Sequence, residues 1–191
     1  MEEIELKFLE VDVAELEKKL IKIGAKRVDN YEYNRKLFDY PDGSMNDRHG
    51  WIRVRTDGKE TTLTYKQTLR KKLNEGKEEN VGVKEIEVVV DDYEKTCELM
   101  KAIGLIVTTE EKNTRTRYEK DDVVFDIDSW PFIPTYLEIE SSSFKKVHEA
   151  ARELDLDPKN GIIGSAGTIY KRYGFDTGTY SSITFEGMIK K

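Results

Sequence analysis

The chain has 191 residues, 37% of them hydrophobic and 37% charged, with 38 acids against 32 bases and a net charge of −6. That length supports one sizeable core, and the nearly matched charges argue against the basic footprint of a protein that coats nucleic acid. The single cysteine, Cys97, rules out an intrachain disulfide framework. No run of about 18 apolar residues offers a membrane span, and the acidic start Met1-Glu2-Glu3 lacks a signal-like apolar region, so a cytoplasmic protein is expected.

Residues 2–9 alternate as a strand does. Asp12-Val13-Ala14-Glu15 then supplies a helix cap with an acid three residues on, followed by Val13, Leu16, Leu20 and Ile23 at helical spacing and by Gly24 as a stop. Strands are expected near 26–32, 36–40, 51–57 and 61–68, with turns at Pro41-Asp42-Gly43 and Asp57-Gly58. Segment 70–80 has no apolar periodicity and reads as a mobile loop. A strand over 83–90 then leads through Asp91-Asp92 into a helix carrying Cys97, Leu99, Met100 and Ile103 and ending at Gly104, a divergent copy of the first strand–helix unit.

Strands near 106–119 and 122–130 flank a turn at Asp121-Asp122, and a strand over 135–140 feeds a helix from about 144 to 155 with Val147, Ala151 and Leu154. A glycine-rich loop with Pro158, Gly161, Gly164 and Gly167 precedes a last short helix through Ile169, Tyr170 and Tyr173. Strands outnumber helices, so the expected class is α+β on an antiparallel sheet, one domain over 1–175 with 176–191 as a C-terminal tail.

Glu-Ile-Glu occurs three times, at Glu3/Glu5, Glu85/Glu87 and Glu138/Glu140, each time in a predicted strand. Strand side chains alternate faces, so each pair sets two carboxylates on one side of the sheet and Ile4, Ile86 or Ile139 on the other. Other strands carry bases with the same spacing: Arg53/Arg55, Arg115/Arg117, Lys66, and Lys7 two residues beyond Glu5. On any one strand a solvated polar face with cross-strand ion pairs would explain the pattern. Acids and arginines sorted onto separate strands point instead to an enclosed polar interior, in which the acids collect a divalent cation and the bases collect phosphates.

The ordered set of these residues resembles the CYTH superfamily, the triphosphate tunnel metalloenzymes. Glu3-Ile4-Glu5-Leu6-Lys7 is similar to its N-terminal Glu-x-Glu-x-Lys signature. The later landmarks recur in order: Arg53/Arg55, Thr64 with Lys66, Glu85-Ile86-Glu87, Arg115 to Tyr118, Asp128, and Glu138-Ile139-Glu140. The resemblance covers about residues 1–175 and implies a closed, eight-stranded antiparallel β-barrel with flanking helices, a tunnel that holds a triphosphate with Mg²⁺ or Mn²⁺. It implies Glu3, Glu5, Asp126, Asp128, Glu138 and Glu140 as metal ligands, and Lys7, Arg53, Arg55, Lys66, Arg115 and Arg117 as phosphate-binding residues. Glu85 and Glu87 would bind a second metal or orient the arginines. Hard oxygen ligands suit such a metal, whereas His49 and His148 have no ligand pattern around them and read as a loop and a helix residue.

The implied activities are a triphosphatase acting on a nucleoside, inorganic or thiamine triphosphate and, alternatively, a class IV adenylate cyclase. In the triphosphatase, Lys66 or Lys7 would accept a proton provided that burial among bases lowers its pKa. A non-catalytic polyphosphate- or nucleotide-binding module is the reading from a different class. Homodimerisation is common among such relatives, although no apolar stripe here specifies it. The chain departs from the family pattern at Asn113, where a lysine is usual, at Arg35, where an Asp is frequent, and at Trp130-Pro131-Phe132-Ile133-Pro134, where a Leu-Gly turn is usual. The rim of the site is therefore expected to differ locally.

Overall fold

The structure is a computed structural model that describes residues 4–72 and 78–191. In chain order its elements are β1 (Ile4–Phe8), α1 (Val13–Lys22), β2 (Lys26–Asp39), α2 (Ser44–Asp47), β3 (Gly50–Thr56), β4 (Thr61–Lys72), β5 (Glu78–Val90), α3 (Tyr93–Ala102), β6 (Ile106–Lys120), β7 (Val123–Ser129), β8 (Tyr136–Ser141), α4 (Phe144–Glu153), α5 (Ala166–Arg172), β9 (Tyr180–Thr184) and β10 (Gly187–Lys190). Short 3₁₀ turns at Pro158–Asn160 and Thr177–Thr179 flank α5. Eight antiparallel strands run in the order β1-β8-β7-β6-β2-β3-β4-β5, and the β9–β10 hairpin joins the sheet where β9 pairs with β6 in parallel.

The helices begin where their sequences offer caps. Asp12 accepts a hydrogen bond from the Glu15 amide at 3.0 Å, Asp92 from Lys95 at 2.9 Å and Ser143 from Lys146 at 3.4 Å. Gly24 and Gly104, with φ of +86° and +97°, make the left-handed turns that end α1 and α3. One face of the curved sheet is covered in two patches. Leu16 and Leu20 of α1 and Val147, Ala150 and Ala151 of α4 pack on Leu6, Phe125, Leu137 and Ile139. Met45 of α2 and Cys97 and Met100 of α3 pack on Phe38 and Val54. Leu20, Phe125, Leu137 and Ile139 are fully buried, and each contributes about 1.5–3 kcal/mol of transfer free energy. Cys97 is thus core packing, as expected, although its stripe partner Ile103 is exposed.

The sheet is a curled half-barrel and not the closed barrel expected. β1 and β5 are its two ends, and among the described residues they do not pair. Closure would require the free edge of β1, but there the Lys7 amide and carbonyl exchange 2.9 Å hydrogen bonds with Ile162, from the loop before α5. β5 is correspondingly uncovered: Ile86 is 56% exposed and does not face a core as Ile139 does.

Three further expectations are revised. The strands near 26–32 and 36–40 are one strand, β2, because both halves pair with β6, with register shifts at Arg27/Asp29 and Leu37/Phe38. The segment 70–80 extends the β4–β5 hairpin, with Arg70 opposite Asn80 and Lys72 opposite Glu78, while residues 73–77 of that stretch lie outside the described residues. The last residues form a hairpin whose Ile183 is fully buried beside Trp130, Tyr136, Ile169 and Tyr170.

Candidate anion-binding and active site

The concave face of the sheet is built by strand parity. β1 contributes Glu5 and Lys7, β8 Glu138 and Glu140, β7 Asp126 and Asp128, β6 Arg115 and Arg117, β3 Arg53 and Arg55, β4 Thr64 and Lys66, and β5 Glu85 and Glu87. Pairing register sets these in rows. Arg117, Asp126, Glu138 and Lys7 are successive cross-strand partners, Glu5 lies opposite Glu140, and Arg53, Thr64 and Glu87 form a row on the other half. Every site residue inferred from the sequence is brought to this face except Glu3, which lies outside the described residues.

On the β1 half the Lys7 ammonium, 2% exposed, lies 2.6 Å from Glu5 and 2.9 Å from Glu138. The Arg115 guanidinium grips Asp128 bidentately at 2.7 and 2.6 Å, also donates to Asp126, and lies 3.4 Å from Glu138. Arg117 takes Asp126 by a second fork at 2.8 and 2.7 Å. On the β5 half, Lys66 lies 2.6 Å from Glu85, Arg53 lies 3.3 Å from Glu87 and Arg55 3.8 Å from it, and Thr64 donates to Glu87 at 2.6 Å. Glu85 and Glu87 are thus counter-ions of the bases in this structure.

Charge crowding perturbs these groups. Burial alone would lower Lys7, but Glu138 and Glu5 hold its ammonium above the usual 10.5. The lowered pKa on which a proton-accepting role depended is therefore absent at Lys7, whose neighbours are acids. Burial alone would likewise raise Glu138, yet Lys7 and Arg115 hold its carboxyl well below the usual range. Burial, with Arg55 and Arg35 adding repulsion, pushes Arg53 down to about 9.

Glu5 and Glu140 are pushed up from their usual 4.5, first by burial and then by the Glu138 charge. The Glu140 carboxylate has neither hydrogen-bond nor ion-pair partner among the described residues. Two cross-strand carboxylates, both raised by the Glu138 charge, suit a hard divalent ion in donor chemistry. Asp126 and Asp128 are occupied by arginines, and among the described residues no group of three or more His, Cys, Asp or Glu is arranged to hold a metal ion.

The site holds one residue that sequence reading set aside as a departure. Arg35 is 8% exposed on the same face, donates through Nη2 to Asn113 and lies over the Trp130 ring. The three departures from the family pattern therefore meet in one cluster. Tyr31 and Tyr33 stack beside it with ring centroids 5.5 Å apart, Arg55 sits over Tyr33, and Arg117 sits over Tyr31. The signal was the alternation Tyr31, Tyr33, Arg35, hidden because β2 was divided at residue 33. A cavity of about 200 Å³ opens there, between Tyr31, Tyr33, Arg55, Thr62, Glu87 and Arg117. A larger cavity of about 350 Å³ beside Phe8, Asp155 and Arg172 is lined by none of the bases named above.

The fold is an open antiparallel half-barrel whose concave face gathers arginines, lysines and carboxylates. The CYTH domain model matches residues 1–166, and the chain belongs to that family. It is 26% identical over 142 residues to a Methanocaldococcus jannaschii protein named as a candidate adenylate cyclase, a match spanning 74% of this chain and 78% of the relative. A solved Pyrococcus horikoshii structure superposes with a TM-score of 0.66 at 26% identity, covering 85% of this chain and 94% of that one. A Hippeastrum protein, described as a candidate adenylyl cyclase with a dominant triphosphatase activity, shares the fold with a TM-score of 0.62 at 16% identity over 91% of this chain and 96% of that one. Among the described residues no helix is long and apolar enough to cross a membrane.

Proposed function

We propose that the chain is a divalent-metal-dependent triphosphatase that hydrolyses a phosphoanhydride bond of a nucleoside, inorganic or thiamine triphosphate. The observation that carries this reading is the convergence of Lys7, Arg53, Arg55, Lys66, Arg115 and Arg117 on one concave face, with carboxylates grouped at its β1 end. Phosphoryl transfer depends more on charge neutralisation and in-line positioning than on covalent catalysis, and such a face offers both. Forked guanidiniums are suited to phosphate oxygens, and Arg53 and Arg55, whose carboxylate contacts to Glu85 and Glu87 are as long as 3.3 to 3.8 Å, are the readiest to exchange carboxylate for phosphate.

Glu3, Glu5, Glu138 and Glu140 would hold Mg²⁺ or Mn²⁺, joined by Asp126 and Asp128 as Arg115 and Arg117 turn to phosphate. A metal so held neutralises phosphate charge and activates water. Lys7 keeps its proton and acts as a fixed cation between Glu5 and Glu138, and Lys66, the other lysine of the face, pairs with Glu85 at 2.6 Å.

A class IV adenylate cyclase is the second reading. It is favoured by the cavity beside Tyr31 and Tyr33, where a nucleoside has both room and aromatic surface, and by the name of the Methanocaldococcus jannaschii relative. Incubation with Mg²⁺ or Mn²⁺ and, separately, ATP, inorganic triphosphate and thiamine triphosphate decides between them. Orthophosphate release selects the triphosphatase, and cyclic AMP with pyrophosphate selects the cyclase. Absence of turnover, with thermal stabilisation by triphosphate retained, selects a non-catalytic binding module.

A further inference from the structure

Among Arg35, Arg53, Arg55, Arg115 and Arg117, only Arg35 has no carboxylate within ion-pair distance among the described residues. Its cross-strand neighbour Glu111 feels its charge but does not pair with it. The guanidinium carbon lies 4.7 Å from the Trp130 ring centroid and 5.5 Å from that of Tyr33, so aromatic faces hold the plane that Asn113 anchors through Nη2. Its Nε is buried and makes no hydrogen bond, and the same is true of Nε of the nearby Arg53. Burial, opposed by Glu111 and Asp128 and reinforced by Arg55 and Arg115, pushes Arg35 down to about 10.

We propose that Arg35 is a further oxyanion-binding residue of the groove, and that it takes the end phosphate of a polyphosphate chain. A buried guanidinium without a carboxylate, restrained by two rings and one amide and carrying a spare Nε–H, is organised to receive an anion at little ordering cost. The chain end is specified by what lies beside it. Trp130 packs edge-on against Tyr170 at 6.1 Å within the cluster that also holds Tyr136, Ile133 and Ile183 of the C-terminal hairpin, and β9 pairs with β6 at Glu110 and Glu111. That apolar cluster, with the acidic Glu111 beside it, offers a phosphate chain no base beyond Arg35. The proposal rests on the reading that the groove binds polyphosphates.

The test is calorimetric titration of inorganic triphosphate with Mg²⁺ into wild-type and Arg35→Gln protein, alongside competition by long-chain polyphosphate. The dissociation constant is expected to rise about tenfold or more in Arg35→Gln, as for loss of a charge-assisted contact, with an unchanged circular dichroism spectrum. Long-chain polyphosphate is expected to compete in proportion to its chain ends; competition in proportion to total phosphate overturns the end assignment. In the wild-type protein the Arg35 Nε–Hε NMR signal is expected to shift as triphosphate saturates, a readout that holds even where Arg35→Gln fails to fold. An unmoved signal, or an unchanged constant in a folded variant, overturns the role of Arg35 while leaving turnover and the triphosphatase reading intact. A shifted signal without turnover of any substrate removes the enzymatic reading alone, and no binding of any probe removes both.

Discussion

The Lys7 ammonium lies 2.9 Å from the Glu138 carboxylate, and the two residues are direct cross-strand partners at the end of the sheet. Both are buried, and Lys7 also touches Glu5, so one cation holds together two carboxylates that would otherwise repel. Removing it leaves uncompensated buried charge. Lys7→Met is therefore expected to destabilise the metal-free protein by about 3–5 kcal/mol in urea unfolding. Mg²⁺ should restore more stability to the variant than to the wild type, because the uncompensated carboxylates gain a cation. A loss below about 1 kcal/mol, typical of a surface pair, would show that Lys7 does not hold these acids.

Arg115 forks onto Asp128 and reaches Asp126 and Glu138, a geometry that a single ammonium cannot reproduce. Arg115→Lys is expected to keep the charge yet weaken inorganic triphosphate binding about tenfold or more, since the planar fork is lost. Lys18→Ala, on the exposed face of α1, should leave binding unchanged. Equal constants in both variants would remove Arg115 from the phosphate-binding set.

Ile183 lies beyond residue 166, where the family match ends, yet it is fully buried against the Trp130 and Tyr170 cluster. Ile183→Ala is expected to cost about 2–5 kcal/mol, the usual range for emptying such a position. Thermal and urea unfolding read this directly. A change within about 0.5 kcal/mol, the range of surface substitutions, would mean that the hairpin does not pack as described.

Asp92 caps α3 by accepting from the Lys95 amide, and that hydrogen bond holds its carboxyl below the usual 3.8. A depressed folded-state pKa contributes stability above 3.8 that is lost as pH falls through and below it. Asp92→Ala should therefore lower the melting temperature at pH 7, and the gap from wild type should narrow as pH falls through 3.8. A gap independent of pH would sink the capping account.

Much of the site was legible because strand parity is a local property. Glu138 and Glu140, or Arg115 and Arg117, share a face whatever the rest of the chain does. The ends of α1 and α3 were equally local, written in Asp12, Asp92, Gly24 and Gly104. Segment 70–80 was misread because its polar sequence carries no strand period, while in the structure the β4–β5 ladder continues through Arg70 opposite Asn80. Dividing β2 near residue 33 concealed Arg35, because a broken strand has no parity to follow.

The sequence by itself determined which side chains share a face and which charges would need one another, since both follow from spacing along one strand. Tertiary structure alone decided which opposite charges meet, that Arg35 is buried without a carboxylate, and that the sheet stays open. Those outcomes turn on competition between distant segments: Ile162 takes the edge of β1 that a closed barrel would need, and Ile183 crosses to β6 from the far end of the chain. Such contacts are settled by which segments can satisfy backbone and apolar groups together, a comparison that no local pattern encodes.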